Sequence, residues 1–233
     1  MLTKRHGGDR GPTNAGWLKS MHTFSFGQFY DPAFMGFGPL RVLNDDMVIP
    51  GAGFDTHGHR NMEIISYVFE GNLAHEDSMG TGSHINVGDV QIISAGRGIT
   101  HSEFNGSKDE RVRFLQIWIM PDEENTKPKY QQKSFQSADM KNQFKVVVSR
   151  DGEDGSLLIK QDARMLVGKL SNGKSAEFLP TAGRKYWVQM VKGKATVNGH
   201  SATAGDGFAI QDEERIIVKG KGGAEVLLFD LPN

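Results

Sequence analysis

The chain has 233 residues and a formal net charge of −1, with 27 Lys and Arg against 28 Asp and Glu. A charge this close to zero produces no overall field that would attract nucleic acid or an anionic membrane, and we expect neither partner. Cysteine is absent, which excludes a disulfide framework, a thiolate nucleophile and a cysteine-ligated zinc site. The N-terminal residues contain no apolar stretch of signal-peptide length, and no apolar run approaches a membrane span, so we expect a cytoplasmic protein.

The apolar segments are short and are separated by Gly, Asn or Asp, which is typical of an all-β fold. Residues 1–20 are predicted to be irregular. Two strands, Leu40–Asn44 and Met47–Ile49, are predicted to meet at a turn formed by the Asn-Asp-Asp triplet. Further strands are predicted over Glu63–Phe69, Asn72–His75, Ile85–Val87, Val90–Ser94 and Arg111–Met120.

An aromatic-rich stretch lies near the N-terminus and comprises Phe24, Phe26, Phe29, Tyr30, Phe34 and Phe37. Core packing is the favoured interpretation, because buried aromatic side chains normally belong to the core. The alternative is that one or two of them line a pocket for a flat aromatic ligand.

A polar segment over residues 121–143 is interpreted as a domain linker that includes a short strand near Tyr130–Phe135. The predicted domains are therefore residues 1–125 and 126–233. Strands resume after the linker, with hairpin turns predicted at Lys192-Gly193 and Asn198-Gly199, because Gly tolerates positive φ.

A weak internal repeat supports two copies of one β-barrel module. The matching segments are Tyr67–Gly71 with Gln189–Gly193, Gly88-Asp89 with Gly205-Asp206, and Ile117–Pro121 with Leu228–Pro232. After residue 121 the sole histidine is His200, so we expect the second barrel to lack metal ligands.

Two spaced pairs of polar residues are candidates for a metal site. His57 and His59 form the first pair, and His101 and Glu103 form the second, each in a glycine-rich context. Residues at i and i+2 of a strand point to the same face, so two such strands can direct three nitrogens and one oxygen at one divalent ion. Imidazole and carboxylate donors suit Fe(II), Mn, Ni, Cu or Zn. His75 and His84 are interpreted as surface or hydrogen-bonding residues, because neither belongs to a spaced pair.

Over essentially its whole length the chain resembles the pirin family, a group of bicupins within the cupin superfamily, and most closely its bacterial quercetin dioxygenase-like members. The resemblance is carried by His57–Glu63, Tyr67–Gly71, His75–Gly80, Gly88–Gln91, Ala95–Glu103 and Gln116–Pro121, together with Gly16-Trp17, His22–Phe26 and Tyr30–Pro32. It implies two tandem cupin (jelly-roll) β-barrels.

The resemblance also implies a ligand set of His57, His59, His101 and Glu103. The general cupin pattern would use Glu63 instead of Glu103, and both residues are present. We favour Glu103 because it lies on the same strand face as His101, whereas Glu63 begins the next strand. The chain departs from the family at Gly58, where proline is common; glycine lifts the restraint on φ and predicts a somewhat weaker metal affinity.

The activity that the resemblance implies is a metal-dependent cleavage of a flavonol, such as quercetin, by O₂ with release of carbon monoxide. Glu103 is the candidate catalytic base. The expected cofactor is one divalent ion, with Fe(II) first and Mn, Ni, Cu, Zn or Co as alternatives. A different class stays open: a metal-containing regulatory, protein-binding module without turnover. We expect a monomer, because two barrels can cover each other's apolar faces.

Overall fold

The computed structural model describes residues 1–233 and consists almost entirely of β-strands, as the short apolar segments predict. In chain order the strands are β1 (Leu2–Arg5), β2 (Gly11–Asn14), β3 (Leu18–His22), β4 (Leu40–Val48), β5 (Gly53–His59), β6 (Glu63–Glu70), β7 (Asn72–Asp77), β8 (Gly82–Asn86), β9 (Asp89–Ser94), β10 (Ile99–Asn105), β11 (Val112–Ile119), β12 (Lys129–Ser134), β13 (Phe144–Ser149), β14 (Leu157–Leu158), β15 (Arg164–Leu170), β16 (Ser175–Phe178), β17 (Lys185–Val197), β18 (His200–Thr203), β19 (Gly207–Ile210) and β20 (Ile216–Leu231). Three short 3₁₀ helices cover Gly7–Asp9, Ser137–Met140 and Glu153–Gly155. None of the helical segments has the length and apolar character needed to cross a membrane.

The chain forms two compact units. The first unit comprises Gly11–Phe135 and Leu157–Gln161, and the second comprises Met1–Arg10, Gln136–Ser156 and Asp162–Asn233. This division differs from the predicted boundary between residues 125 and 126. Residues 1–10 group with the second unit because β1 pairs with β19, and β12 remains in the first because it pairs with β9. The segment interpreted as a linker therefore contributes strand β12 to a sheet of the first unit.

Residues 1–20, predicted to be irregular, in fact contain β1, β2 and the start of β3. These strands are short and carry few apolar residues, so no alternating pattern reveals them. Their pairing partners are distant in sequence for β1 and local for β2, which pairs with β3.

The first unit has two antiparallel sheets, in the manner of a jelly roll. One sheet has the strand order β5-β10-β7-β8, and the other has the order β12-β9-β6-β11-β4-β3-β2. Apolar side chains from the two sheets pack at one end of the unit, where Val68, Leu73 and Phe114 are fully buried. A smaller apolar cluster around Ile64 and Ile93 packs separately.

Between these clusters a row of polar side chains crosses five strands of the larger sheet. Successive cross-strand neighbours in this polar row are His22, Asn44, Gln116, Ser66 and Gln91. All five are buried. The row explains why the strands Leu40–Asn44 and Met47–Ile49 were wrongly predicted as separate: the polar triplet lies inside the continuous strand β4, with Asn44 in the row.

The second unit is built on a sheet in which β1, β19, β17, β20, β15 and β13 are successive neighbours. A large apolar cluster with Tyr186, Met190 and Phe208 among its buried members forms its core. His200 lies exposed on β18. Both groups of His, Asp or Glu side chains that could hold a metal belong to the first unit.

Of the two predicted glycine turns in this unit, one is confirmed and one is wrong. Asn198 and Gly199 have φ of 44° and 83° and connect β17 to β18 as a tight hairpin. Gly193 instead lies inside the long strand β17, at a shift in register with β20. Its φ is 74°, and a Cβ there would lie 2.0 Å from the carbonyl oxygen of Gly223, so the glycine permits a bulge rather than a turn.

Candidate metal centre

The pairing of β5 with β10 brings three predicted ligands together. His101 lies directly opposite His57, and Ile99 lies opposite His59. The register shifts between His101 and Glu103, which marks a β-bulge. The ring centroids of the three histidines are 4.5 Å apart for His57 and His101, and 4.8 Å apart for each pair that includes His59. The spacing argument thus correctly predicts that these imidazoles share a face.

The imidazole nitrogens are suited to bind a divalent cation. His57 donates through Nδ1 to the backbone carbonyl of Asp55 at 2.8 Å, which leaves its Nε2 with a free lone pair. Neither nitrogen of His101 has a partner, although both are buried. Burial, with a further contribution from neighbouring imidazoles, lowers the pKa of His59 to about 4 and that of His101 to about 3. Neutral, inward-facing rings with unused nitrogens fit a metal better than they fit a purely structural role.

Glu103 is held beside this cluster by the polar row. It is buried, and its two carboxylate oxygens accept hydrogen bonds from Ser66 Oγ at 3.1 Å and from Gln116 Nε2 at 2.7 Å. Burial raises the pKa of Glu103, while His75, His57 and the two hydrogen-bond donors act in the opposite direction. The oxygen of Glu103 falls in a second group of potential ligand atoms, with His75 and His101, that spans no more than 4.8 Å. His101 belongs to both groups.

The alternative carboxylate, Glu63, has other partners. It is buried near one end of β6 and accepts hydrogen bonds from Ser94 Oγ at 2.8 Å and from the backbone nitrogen of Lys160 at 3.2 Å. Burial also raises the pKa of Glu63. It belongs to neither group of potential ligands, so the geometry favours Glu103 as the carboxylate of the cluster.

The remaining histidines of the first unit have different environments. His84 donates through Nδ1 to Asn72 Oδ1 at 2.7 Å, in agreement with the interpretation of a hydrogen-bonding residue. His75 is hydrogen-bonded as well, to Asp77 at 3.0 Å, but the prediction of a surface position is wrong for it because it is fully buried and stacks on Tyr130. Its Nδ1 has no partner, and His75 is a member of the second group of potential ligands. The sequence feature that indicates this inward position is His75-Glu-Asp77, a third pair of polar residues at i and i+2.

A cavity of about 730 Å³ opens onto the cluster within the first unit. Its lining includes His57, His59 and Glu103. Four aromatic side chains form much of its wall: Trp17, Phe26, Phe54 and Trp118. The indole of Trp118 lies 5.0 Å from the ring of His59 and 5.5 Å from that of Phe26, each in an edge-on arrangement. Both interpretations of the aromatic stretch, core packing and pocket lining, therefore hold for different residues: Phe24 is buried in the core, and Phe26 lines the cavity.

Comparison with known proteins gives full-length matches. The Pirin family model matches residues 5–119, and the model of the quercetinase C-terminal cupin domain matches residues 146–231. A quercetin 2,3-dioxygenase of Escherichia coli (strain K12) is 47% identical over 232 residues, which cover 100% of this chain and 99% of that protein. A putative quercetin 2,3-dioxygenase of Pseudomonas aeruginosa is 41% identical over 232 residues, which cover 99% of this chain and 100% of that protein.

Among solved structures, the crystal structure of the bacterial pirin YhhW from Escherichia coli in complex with nickel(II) superposes with a TM-score of 0.94 at 46% identity. The match covers 100% of this chain and 99% of that one. The two jelly-roll units, the cupin model on the second half and the identity across the whole length agree with one another. The chain therefore belongs to the pirin family and is built from two cupin domains.

Proposed function

We propose that this protein is a metal-dependent dioxygenase that cleaves a flavonol of the quercetin type with O₂ and releases carbon monoxide. The observation that carries the proposal is the cluster of three histidines beside a buried carboxylate at an aromatic-walled cavity. The names of its relatives, two of which are given above, point to the same activity.

In this proposal His57, His59 and His101 hold the ion through nitrogen, and Glu103 supplies the oxygen donor. Mixed imidazole and carboxylate donors suit Fe(II), our first choice, and also Mn, Ni, Cu, Zn or Co. When bound, such an ion supplies Lewis-acid activation of the enolic oxygen and a route for the reaction with O₂. The nickel(II) complex of the bacterial relative is consistent with this donor set.

Glu103 is the proposed acceptor of the flavonol 3-hydroxyl proton. Burial raises the pKa of Glu103, which makes its carboxylate a better base near neutral pH. Coordination to a cation opposes this, because positive charge favours the ionised carboxylate. Ser66 and Gln116 hold the two oxygens without any contribution from a metal, so Glu103 can keep its position while it takes the proton.

The cavity is suited to a flat, mainly apolar ligand. Trp17 packs edge-on against Phe54 with ring centroids 5.0 Å apart, and the ring of Trp118 lies 5.0 Å from that of His59. Aromatic walls favour planar rings and keep bulk water away from the reacting atoms. The few polar groups then orient the ligand, as is common in small-molecule sites.

The test compares Glu103→Gln with Glu63→Gln, a matched change at another buried strand carboxylate with a raised pKa. Both proteins are loaded with Fe(II), and their metal content is measured before quercetin loss and carbon monoxide release are followed. When the two variants are compared at equal metal content, Glu103→Gln should lower kcat by about 10²-fold or more, whereas Glu63→Gln should keep its activity.

Full activity of metal-loaded Glu103→Gln would contradict the role of Glu103. If the wild-type protein holds the metal tightly but neither consumes the flavonol nor releases carbon monoxide, the protein-binding module becomes the better explanation.

A further inference from the structure

Asp46 is a buried carboxylate of the cavity wall for which the proposed chemistry has no use. It lies on β4, is 4% exposed and lines the cavity. Its Oδ1 has no hydrogen-bond partner. Ser20, its cross-strand neighbour on β3, is its hydrogen-bonding partner within the protein. Burial, reinforced by the charges of Asp45 and Glu103, raises the pKa of Asp46 to about 7.

Asp46 and Glu103 both line the cavity, and the sheet register relates their positions through Gln116. Asp46 lies opposite Phe114, which is the inward-facing position next to Gln116 on β11. Asp46 and Gln116 are therefore diagonal neighbours, about 7–8 Å apart in an antiparallel sheet. Gln116 in turn donates its hydrogen bond to Glu103. A ligand whose reacting oxygen is at Glu103 can thus reach Asp46 with a second group.

The polar side chains around Asp46 are already engaged with one another. His22 bonds through Nδ1 to Asn44 at 2.8 Å and through Nε2 to Thr13 at 2.8 Å. Asp46 differs because one of its oxygens is unused, and rotation about the Cβ–Cγ bond can present either oxygen to the cavity. A buried acceptor without a partner is costly and calls for a donor from elsewhere. In either protonation state the carboxyl group keeps an oxygen that accepts a hydrogen bond.

We propose that Asp46 determines substrate specificity by accepting a hydrogen bond from a second hydroxyl on a flat aromatic enol whose enolic oxygen is at Glu103. The inference rests on the proposed function for the class of ligand. It adds that flavonols with ring hydroxyls are preferred over the unsubstituted ring system. The aromatic walls bind both kinds of ligand, whereas Asp46 distinguishes them.

The test measures binding rather than turnover. Protein loaded with Ni(II) is titrated without oxygen with quercetin and with 3-hydroxyflavone, which lacks the ring hydroxyls. Calorimetry, or the fluorescence of Trp17 and Trp118 in the cavity wall, gives both Kd values. The wild type should bind quercetin about tenfold or more tightly than 3-hydroxyflavone. Asp46→Leu should lower this ratio about tenfold, the contribution of one hydrogen bond to a buried acceptor.

Two further variants separate recognition from general damage. Asp46→Asn keeps an acceptor oxygen and should retain most of the ratio. Asp45→Leu is the matched control: Asp45 is adjacent, its side chain is on the opposite sheet face, and it binds Arg113 instead. Thermal unfolding verifies that each variant is folded.

The outcomes distinguish this inference from the proposed function. An equal ratio in the wild type and Asp46→Leu, or a wild type without preference, overturns the inference even if flavonol is cleaved. A ratio that collapses in Asp46→Leu supports it even if no carbon monoxide is released, in which case the proposed function fails alone. Absence of any flavonol binding overturns both.

Discussion

Replacing His101 by Leu should change the stability of the metal-free and the metal-loaded protein in opposite directions. The imidazole is 1% exposed, and neither of its nitrogens has a hydrogen-bond partner. An unsatisfied buried polar atom costs about 1–3 kcal/mol. Leucine has a similar volume and no polar atom, so it removes that cost and adds apolar burial. The metal-free variant should therefore be more stable than the metal-free wild type by about 1–3 kcal/mol.

Metal binding should reverse this order of stability between the wild type and His101→Leu. A ligand that binds the native state alone stabilises it by about 2.7 kcal/mol when its concentration is 100 times Kd. The wild type gains this stabilisation, and His101→Leu loses it with one of the three imidazoles. For domains of this size 1 kcal/mol corresponds to roughly 2–4 °C in Tm, so both effects are measurable.

The assay is thermal unfolding after chelation and again with excess Ni(II). His75→Leu is the matched control, because His75 is an equally buried histidine whose ring lies 5.4 Å from that of His101. His75 also has one nitrogen without a partner, but its other nitrogen donates to Asp77 at 3.0 Å. Loss of that hydrogen bond to a charged group costs about 1.5–3 kcal/mol and offsets the gain, so metal-free His75→Leu should not be more stable than the metal-free wild type. The reasoning is refuted if chelated His101→Leu melts below chelated wild type. An undiminished nickel shift in His101→Leu would show that His101 is not a ligand.

Two further predictions concern backbone order and pH. At Gly58 φ is not positive, and a Cβ would lie at an ordinary contact distance of 3.8 Å from Ile99 O and Thr100 Cγ2. Gly58→Ala should therefore stabilise the protein by about 0.4–1 kcal/mol and tighten metal binding up to about fivefold. A lower Tm, or weaker metal binding in a competition titration, would contradict this prediction. Burial acts to raise the pKa of Asp206, but hydrogen bonds from Lys4, Gly7 and Thr203 prevail and lower it. The stability contributed by Asp206 is therefore complete above its unfolded-state pKa of about 3.9 and is lost as pH falls through the lower folded-state value. Urea unfolding between pH 5 and pH 2 should show a steeper loss for the wild type than for Asp206→Asn, and parallel losses would count against the assignment.

The sequence was sufficient to predict the all-β architecture and the convergence of His57, His59 and His101. Strand alternation is local, so an i, i+2 pair reports its shared face directly. The choice between Glu103 and Glu63 was harder because both are buried carboxylates. The structure separates the two carboxylates by their hydrogen-bonding partners: Gln116 donates to Glu103, whereas Ser94 donates to Glu63. The sheet register decides which carboxylate has which partner.

The errors arose where polar residues face inward. The Asn-Asp-Asp triplet of β4 has the composition of a turn, yet Asn44 pairs with His22 and Gln116 inside the sheet. Asp46, the last residue of the triplet, is also buried and lines the cavity. Composition cannot distinguish a solvated loop from a polar strip inside a barrel, because both place hydrogen-bonding groups where donors and acceptors are available. Only the long-range pairing of strands separates the two.

The pairing of β1 with β19 has a consequence for how the protein is made. Strand β1 must remain without its partner until β19 has been synthesised; Lys4, for instance, donates to the carbonyl of Ser201, 197 residues later. Residues 11–135 carry every proposed metal ligand and need no part of that distant strand. We therefore expect the metal-binding unit to fold early, and the second unit to complete its sheet last.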